Sequence, residues 1–223
     1  MTESTGQGAE AERPALTRRR ILDAALALAD AEGLEALSMR RLGAALGVEA
    51  MSLYHHFPGK PALLDGLVAT VLGEVPLPEA TPTGWEDAVR RGFTAFRQVL
   101  LAHPALFPLL ATRPPTQRES LAAAARAFAI LAAVGFEPHE AASAWTTLLA
   151  FTFGFVQCEI SGVGETTRGA AMLSLVEELR GPDFAAFRTT HSTIEDWDGD
   201  VEFARGLDVL ISGLRARLHD ATG

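Results

Sequence analysis

Between Ser38 and Leu64 the chain reads SMRRLGAALGVEAMSLYHHFPGKPALL, which sets Arg40, Ser52, Tyr54, His55, His56 and the chain's only lysine, Lys60, against a helical apolar pattern. An arginine such as Arg40 can grip a guanine edge through two parallel hydrogen bonds. Hydroxyl and imidazole donors such as those of Ser52, Tyr54 and His56 serve on phosphate oxygens. Lys60 stands near the start of the next helix, where backbone amides also favour phosphate. Ala50 and Met51 offer the apolar contact that thymine methyl groups accept. The chemistry these residues offer is binding, not bond-making.

The elements that must position them follow from caps, breakers and periodicity. Ser38 is a good N-cap for a short helix with Leu42, Ala45 and Leu46 facing inward, and Gly47 stops it. A further helix starts within a few residues. On it Leu53 and Phe57 share one face, Met51, Ser52 and His55 take the opposite side, and Tyr54 and His56 flank that outer face. Pro58-Gly59 ends it. Two short helices joined by a tight glycine-containing turn make a helix-turn-helix unit, whose second helix fits the major groove. Ahead of it, Thr17 caps a helix with Ile21, Ala25 and Leu28, together with Leu22, Leu26 and Ala29, in helical spacing, closed by Gly33. Behind it, KPALLDGLVATVLGEV resumes as a helix with Pro61 in its first turn.

Beyond PLPEATPTG the pattern predicts long helices over Trp85–Ala102, a kinked HPALFPLLATRPP, and then about Thr116–Val134, Pro138–Ile160, Thr167–Arg180 and Asp200–His219. Ala and Leu dominate while Val, Ile and Tyr are sparse, which favours helix over sheet. The expected fold is therefore all-α. Its parts are a flexible tail over 1–14, a three-helix helix-turn-helix DNA-binding domain over 15–60, and a larger helical body over 61–223 that a family resemblance marks for ligand binding and dimerisation.

Charge supports that division. The 223-residue chain carries a net charge of −9, yet residues 13–60 hold seven bases against five acids, with the acidic excess elsewhere. A mildly basic module on an acidic body can still approach phosphate, because binding surfaces are local. The single cysteine, Cys158, leaves no internal disulfide or multi-thiolate metal site. The N-terminal residues lack the apolar core of a secretory signal, so a cytoplasmic location is expected.

Competing classes fare worse. The six histidines lie apart except for His55 and His56, the HEAAS at His139 is not a zinc-binding HExxH, and Cys158 sits in an apolar helix with no base partner. No catalytic residue, metal ligand or cofactor is expected. The 18 uncharged residues between Glu140 and Glu159 touch the lower limit for a membrane span. Their acidic flanks, and the Ser, three Thr and Gln among them, fit a buried or interface helix better. A helical ligand carrier without DNA binding would share the body but would not need Arg40 or the exposed face over 50–56.

From Thr17 to Leu64, TRRRILDAALALADAEGLEALSMRRLGAALGVEAMSLYHHFPGKPALLDGL resembles the N-terminal module of the TetR-type bacterial transcriptional regulators, with LYxH and a lysine at the family's places. The resemblance implies that Arg40 contacts a base, that Ala50, Met51 and Ser52 lie at the groove, and that Tyr54, His56 and Lys60 hold phosphates. Ser38 caps the helix that carries Arg40. His55 stands where the tetracycline repressors have a larger aromatic. The partner implied is a palindromic double-stranded DNA operator.

The body is similar to the tetracycline-repressor subclass at Trp85, Phe96–His103, Thr112-Arg113-Pro114, Gly135-Phe136 and Phe151–Val156. Aligned on those motifs, the subclass's magnesium-binding histidine falls on Leu109 or Leu110 and its acidic partner on Cys158, beside Glu159. Its anchoring asparagine and a further histidine fall on Gly92 and Pro76. Only Phe96, Arg113 and Pro114 match its ligand contacts, so a tetracycline–magnesium complex is not the expected effector. The remaining candidates are Phe93, Phe96, Phe107, Phe128, Trp145, Phe151 and Phe155, with Arg113, His103 and Gln157 as polar anchors. This set suits a small hydrophobic or aromatic molecule. The resemblance further implies a homodimer through the helices Ala141–Cys158 and Val201–Leu218, and a ligand-driven shift of the Lys60–Gly73 helix.

Overall fold

The computed structural model describes residues 15–76, 84–113, 116–162, 174, 178, 181, 184–186, 189 and 198–220. The tail expected over 1–14, Pro114, most of the helix expected over Thr167–Arg180 and His191 lie outside the described residues. Among the described residues every regular element is helical, and the chain divides into two compact units between Leu63 and Leu64.

The first unit holds α1 (Arg18–Glu32), α2 (Met39–Leu46), α3 (Ala50–Tyr54) and the first residues of α4 (Lys60–Gly73). Thr17 Oγ1 accepts from the Arg20 amide at 3.2 Å and Ser38 Oγ from the Arg41 amide at 3.3 Å, each satisfying one orphan donor of a helix start. Ile21, Ala25 and Ala29, four apart, form the buried stripe of α1, and Leu37, Leu42, Leu53, Phe57 and Leu63 complete the core.

Three local expectations shift. Leu28 is only half-buried, because the inward stripe of α1 runs through Ala29 instead. Ala45 is exposed and Leu46 half-buried, because the inward side of two-turn α2 runs through Met39, Leu42 and Gly43. α3 is shorter than its sequence pattern suggests: it ends at Tyr54, with His55 as its C-cap. Pro58 bars a helical Phe57. The chain therefore leaves the helix in a turn that still lets the Phe57 amide donate to the Leu53 carbonyl at 2.9 Å, and Phe57 stays fully buried.

The second unit contains the rest of α4, then α5 (Trp85–Ala102), a 3-10 turn over Pro104–Leu106, α6 (Phe107–Thr112), α7 (Arg118–Ala133), α8 (Pro138–Ile160) and α9 (Gly199–Asp220). The chain bends by 93° between α5 and the Pro104–Thr112 segment. Proline at the start of that segment suits a new helix but cannot continue the old one. α8 packs against α5, α7 and α9. A capping box starts it, with the Glu140 carboxylate accepting from the Glu137 amide at 3.2 Å.

The buried and exposed sides of α8 differ. Ala141, Ala144, Leu148, Thr152 and Val156 are buried, whereas Ser143, Thr146, Thr147, Ala150, Gly154 and Cys158 form an exposed stripe of small residues. The helix is long and apolar enough to cross a membrane.

Candidate nucleic-acid interface and ligand cavity

The α2–α3 corner is made by two glycines with different jobs. Gly47 ends α2 in the left-handed region at φ 70°, which few side chains tolerate. Gly43 is buried against the turn, where an added Cβ would lie 2.9 Å from the Val48 carbonyl oxygen and 3.2 Å from the Ala50 nitrogen. The two helices can approach this closely because residue 43 has no side chain.

That corner presents the polar residues outward. Met51 is 70% exposed and Tyr54 44% exposed. Arg40 and His55 are exposed, and Ala50, Ser52, His56 and Lys60 are partly so. The neighbouring arginines are not equivalent. Arg41 pairs with Glu32 of α1, whereas Arg40 has no ion-pair partner among the described residues. Arg18 lays its guanidinium 4.1 Å from the centroid of the Phe57 ring and donates to the His56 carbonyl, tying α1 to the turn that follows α3. This brace was not read from the sequence, where Arg18 counts only as one of three consecutive bases.

The second unit holds a partly open cavity of about 400 Å³. Leu72, Val75 and Pro76 line it from and after α4; Ala88, Val89, Gly92, Phe93 and Phe96 from α5; Leu110 and Arg113 from and after α6. Ser120, Arg126 and Phe128, with several alanines, line it from α7, and Trp145, Leu149 and Phe153 from α8. Phe93 and Phe128 both tilt against Trp145, with ring centroids 5.4 and 5.7 Å away. Such volumes suit drug-sized ligands, and predominantly apolar walls with a few polar groups are usual for them.

Of the residues expected at a ligand site, Phe93, Phe96, Arg113, Phe128 and Trp145 converge on this cavity. The others do not. Phe151 and Phe155 turn to the opposite flank of α8 and pack on Phe203 of α9, at 5.2 Å each. At 100° per residue, Trp145, Leu149 and Phe153 share a flank that positions 151 and 155 cannot join. Gln157 is exposed and donates to Ser161 Oγ at 2.7 Å. His103 meets Glu74 at 3.1 Å, and buried Leu109 and Phe107 lie outside the lining, Phe107 against Phe153. Phe153 itself was missed, although the spacing from Trp145 marks it.

Arg113 Nε donates to Asp65 Oδ1 of α4 at 2.6 Å. A larger polar cluster lies apart from the cavity. Arg97, only 3% exposed, donates from Nε to Glu159 at 2.8 Å and from Nη1 to Asp200 at 2.6 Å, beside the rings of Phe155 and Phe203. Hydrogen bonding to Glu159 outweighs burial and holds the guanidinium pKa above its ordinary value, and hydrogen bonding from Arg97 holds the Asp200 carboxyl below its own. The sequence signal was there: residue 97 falls on the apolar stripe of Phe93, Phe96 and Leu100, where a charge must be paired.

Magnesium, which the tetracycline-repressor likeness would imply, does not fit this cavity. Its described lining carries no carboxylate or imidazole. Hard cations require oxygen donors.

Comparison with known proteins agrees with both units. Residues 21–67 match the family described as bacterial regulatory proteins, tetR family, and residues 77–218 match the tetracyclin repressor-like, C-terminal domain. The chain is 32% identical to an HTH-type transcriptional regulator of Saccharopolyspora erythraea, over 92% of this chain and 86% of that one. It is also 32% identical to the tetracycline repressor protein class A of Escherichia coli, over 88% and 89%. The crystal structure of apo ActR from Streptomyces coelicolor superposes with a TM-score of 0.84 at 30% identity, covering 92% of this chain and 98% of that one, and ActR is also known in complex with actinorhodin. The chain therefore belongs to the tetR family of bacterial transcriptional regulators and is a helix-turn-helix DNA-binding protein rather than an enzyme.

Proposed function

We propose that this protein is a cytoplasmic homodimeric repressor that holds a palindromic operator and releases it when a small, largely apolar effector enters the second unit. The observation that carries this reading is the cavity of about 400 Å³, walled by Phe93, Phe96, Phe128, Trp145 and Phe153. Binding of actinorhodin by ActR supports it. Arg40, Ala50, Met51, Ser52 and His55 read the groove, Tyr54, His56 and Lys60 hold phosphates, and Ser38 fixes the start of α2.

The exposed small-residue stripe of α8 and the α9 face around Val209, 72% exposed, form the dimer contact. Covered in this way, the apolar length of α8 needs no membrane. Two copies related by a twofold axis set their recognition helices one DNA turn apart, about 34–36 Å, so the operator is a palindrome. α4 contributes Lys60 to the DNA face and Leu72 to the cavity wall, so its displacement by a ligand changes that spacing. A tenfold loss of operator affinity requires only about 1.4 kcal/mol of differential binding.

The test is selection of DNA from a random library by the purified protein, followed by titration at several salt concentrations. The expected result is a palindromic consensus bound by a dimer with steep salt dependence. Recovery of no sequence, or binding by a monomer, would overturn the reading.

A further inference from the structure

One polar atom in the cavity wall is out of keeping with its surroundings. Ser120 is 7% exposed, lines the cavity, and its Oγ has no hydrogen-bond partner among the described residues. A buried hydroxyl in that condition is costly, and native proteins rarely leave one so without a use. Ser120 belongs to the first turn of α7, whose N-cap Gln117 makes no side-chain hydrogen bond to the helix start. The first-turn amides and the positive end of the α7 dipole are therefore beside this hydroxyl, and both favour electron-rich oxygen. The charged residues of the described lining, Arg113 and Arg126, are both cationic. Hydroxyl donor and helix start agree in sign, while Arg113 is already paired with Asp65.

We propose that Ser120 and the start of α7 form an oxygen-accepting subsite, so that the effector is an aromatic molecule carrying a carboxylate, an ionised phenol or a conjugated carbonyl. The inference rests on the cavity being the effector site and goes beyond it by naming the effector's polar group and the residue that selects it. The rings pack against Phe93, Phe128 and Trp145, while the oxygen accepts from Ser120 Oγ. Binding supplies the hydrogen bond that the ligand-free protein lacks.

Calorimetry with three fused-ring probes of one size tests it: 2-naphthoate, 2-naphthamide and 2-methylnaphthalene. The oxygen-bearing probes are expected to bind the wild-type protein at least tenfold more tightly than 2-methylnaphthalene. Ser120→Ala should weaken them about five- to tenfold, in line with one net hydrogen bond, and leave 2-methylnaphthalene unchanged. A fold control reads the opposite sign: because Ser120→Ala deletes an unpartnered buried hydroxyl, the ligand-free variant should melt at the same or a higher temperature. Equal binding of all three probes, an equal effect of the variant on all three, or a lowered melting temperature would overturn the subsite while leaving the cavity reading in place. Absence of binding by all three would remove the cavity reading and the subsite with it.

Discussion

Arg113 and Asp65 are joined at 2.6 Å, and they belong to different parts of the second unit: Arg113 is in the cavity wall and Asp65 is on α4, the helix that begins at Lys60. A polar group arriving at Arg113 competes with Asp65 for the same guanidinium. Asp65→Asn should therefore raise ligand affinity severalfold while reducing a ligand-induced tenfold loss of operator affinity to about twofold. Gel-shift titrations with and without ligand measure both quantities, and an unchanged fold-loss in the variant would dissociate this pair from the response.

Arg40 and Lys60 are expected to fail differently. Arg40→Ala should cost about 1–3 kcal/mol on the preferred site and relax base preference at one position, whereas Lys60→Ala should weaken all sequences alike and lower the salt slope by about 1. Repeating the random-library selection with each variant, and titrating across salt, distinguishes a base reader from a phosphate clamp. A base preference relaxed in the Lys60 variant and kept in the Arg40 variant would exchange their roles.

At residue 43 a methyl group meets backbone on the far side of the turn, 2.9 Å from the Val48 carbonyl oxygen. Neither atom can move like a flexible side chain. Gly43→Ala should destabilise the first unit by about 1–3 kcal/mol and weaken DNA binding at temperatures where the cavity still binds ligand. A variant as stable as wild type to chemical denaturation would show that the corner has slack.

Arg97 tests the opposite kind of site. Arg97→Met leaves Glu159 without its buried partner and should cost about 3 kcal/mol, while adding Glu159→Gln should restore much of that loss. Denaturant melts of the two variants provide the comparison, and equal stability of the single and double variants would show that Glu159 finds another partner.

The same cluster sets a pH dependence. Arg97 holds the Asp200 carboxyl below its ordinary value of about 3.8. The stability this pair contributes is therefore fully present above that value and lost as pH falls through the lower folded one. Asp200→Asn should flatten only this acid limb, and by less than about 1 kcal/mol, since the carboxylate is largely exposed. A stability difference from wild type that persists unchanged at pH values below the folded-state pKa would contradict the assignment.

Local chemistry was legible in the sequence wherever one residue decides the outcome. Thr17 and Ser38 cap the helices they were expected to cap, and Gly33 and Gly47 close them. Positions governed by neighbours in space were harder. α3 is shorter than its pattern because Pro58 acts back along the chain, and Ala45 is exposed because a two-turn helix buries a single narrow stripe. Phe151 and Phe155 carried the same signature as Phe153, yet only Phe153 reaches the cavity. Composition does not say which flank of α8 will meet α9. The Arg97 cluster joins residues 62 and 103 positions apart, a pairing that no local pattern encodes.

Those two sets of rings have a thermodynamic consequence. Trp145 and Phe153 face the cavity, while Phe151 and Phe155 of the same helix grip Phe203. In the proposed dimer, a molecule wedged against the first pair would strain a rod whose other flank fixes α9, so that ligation and subunit association would draw on one shared free energy. By reciprocity, a dimer held through α8 and α9 would have a dissociation constant that varies with effector concentration, and dilution alone would alter the protein's apparent affinity for its effector.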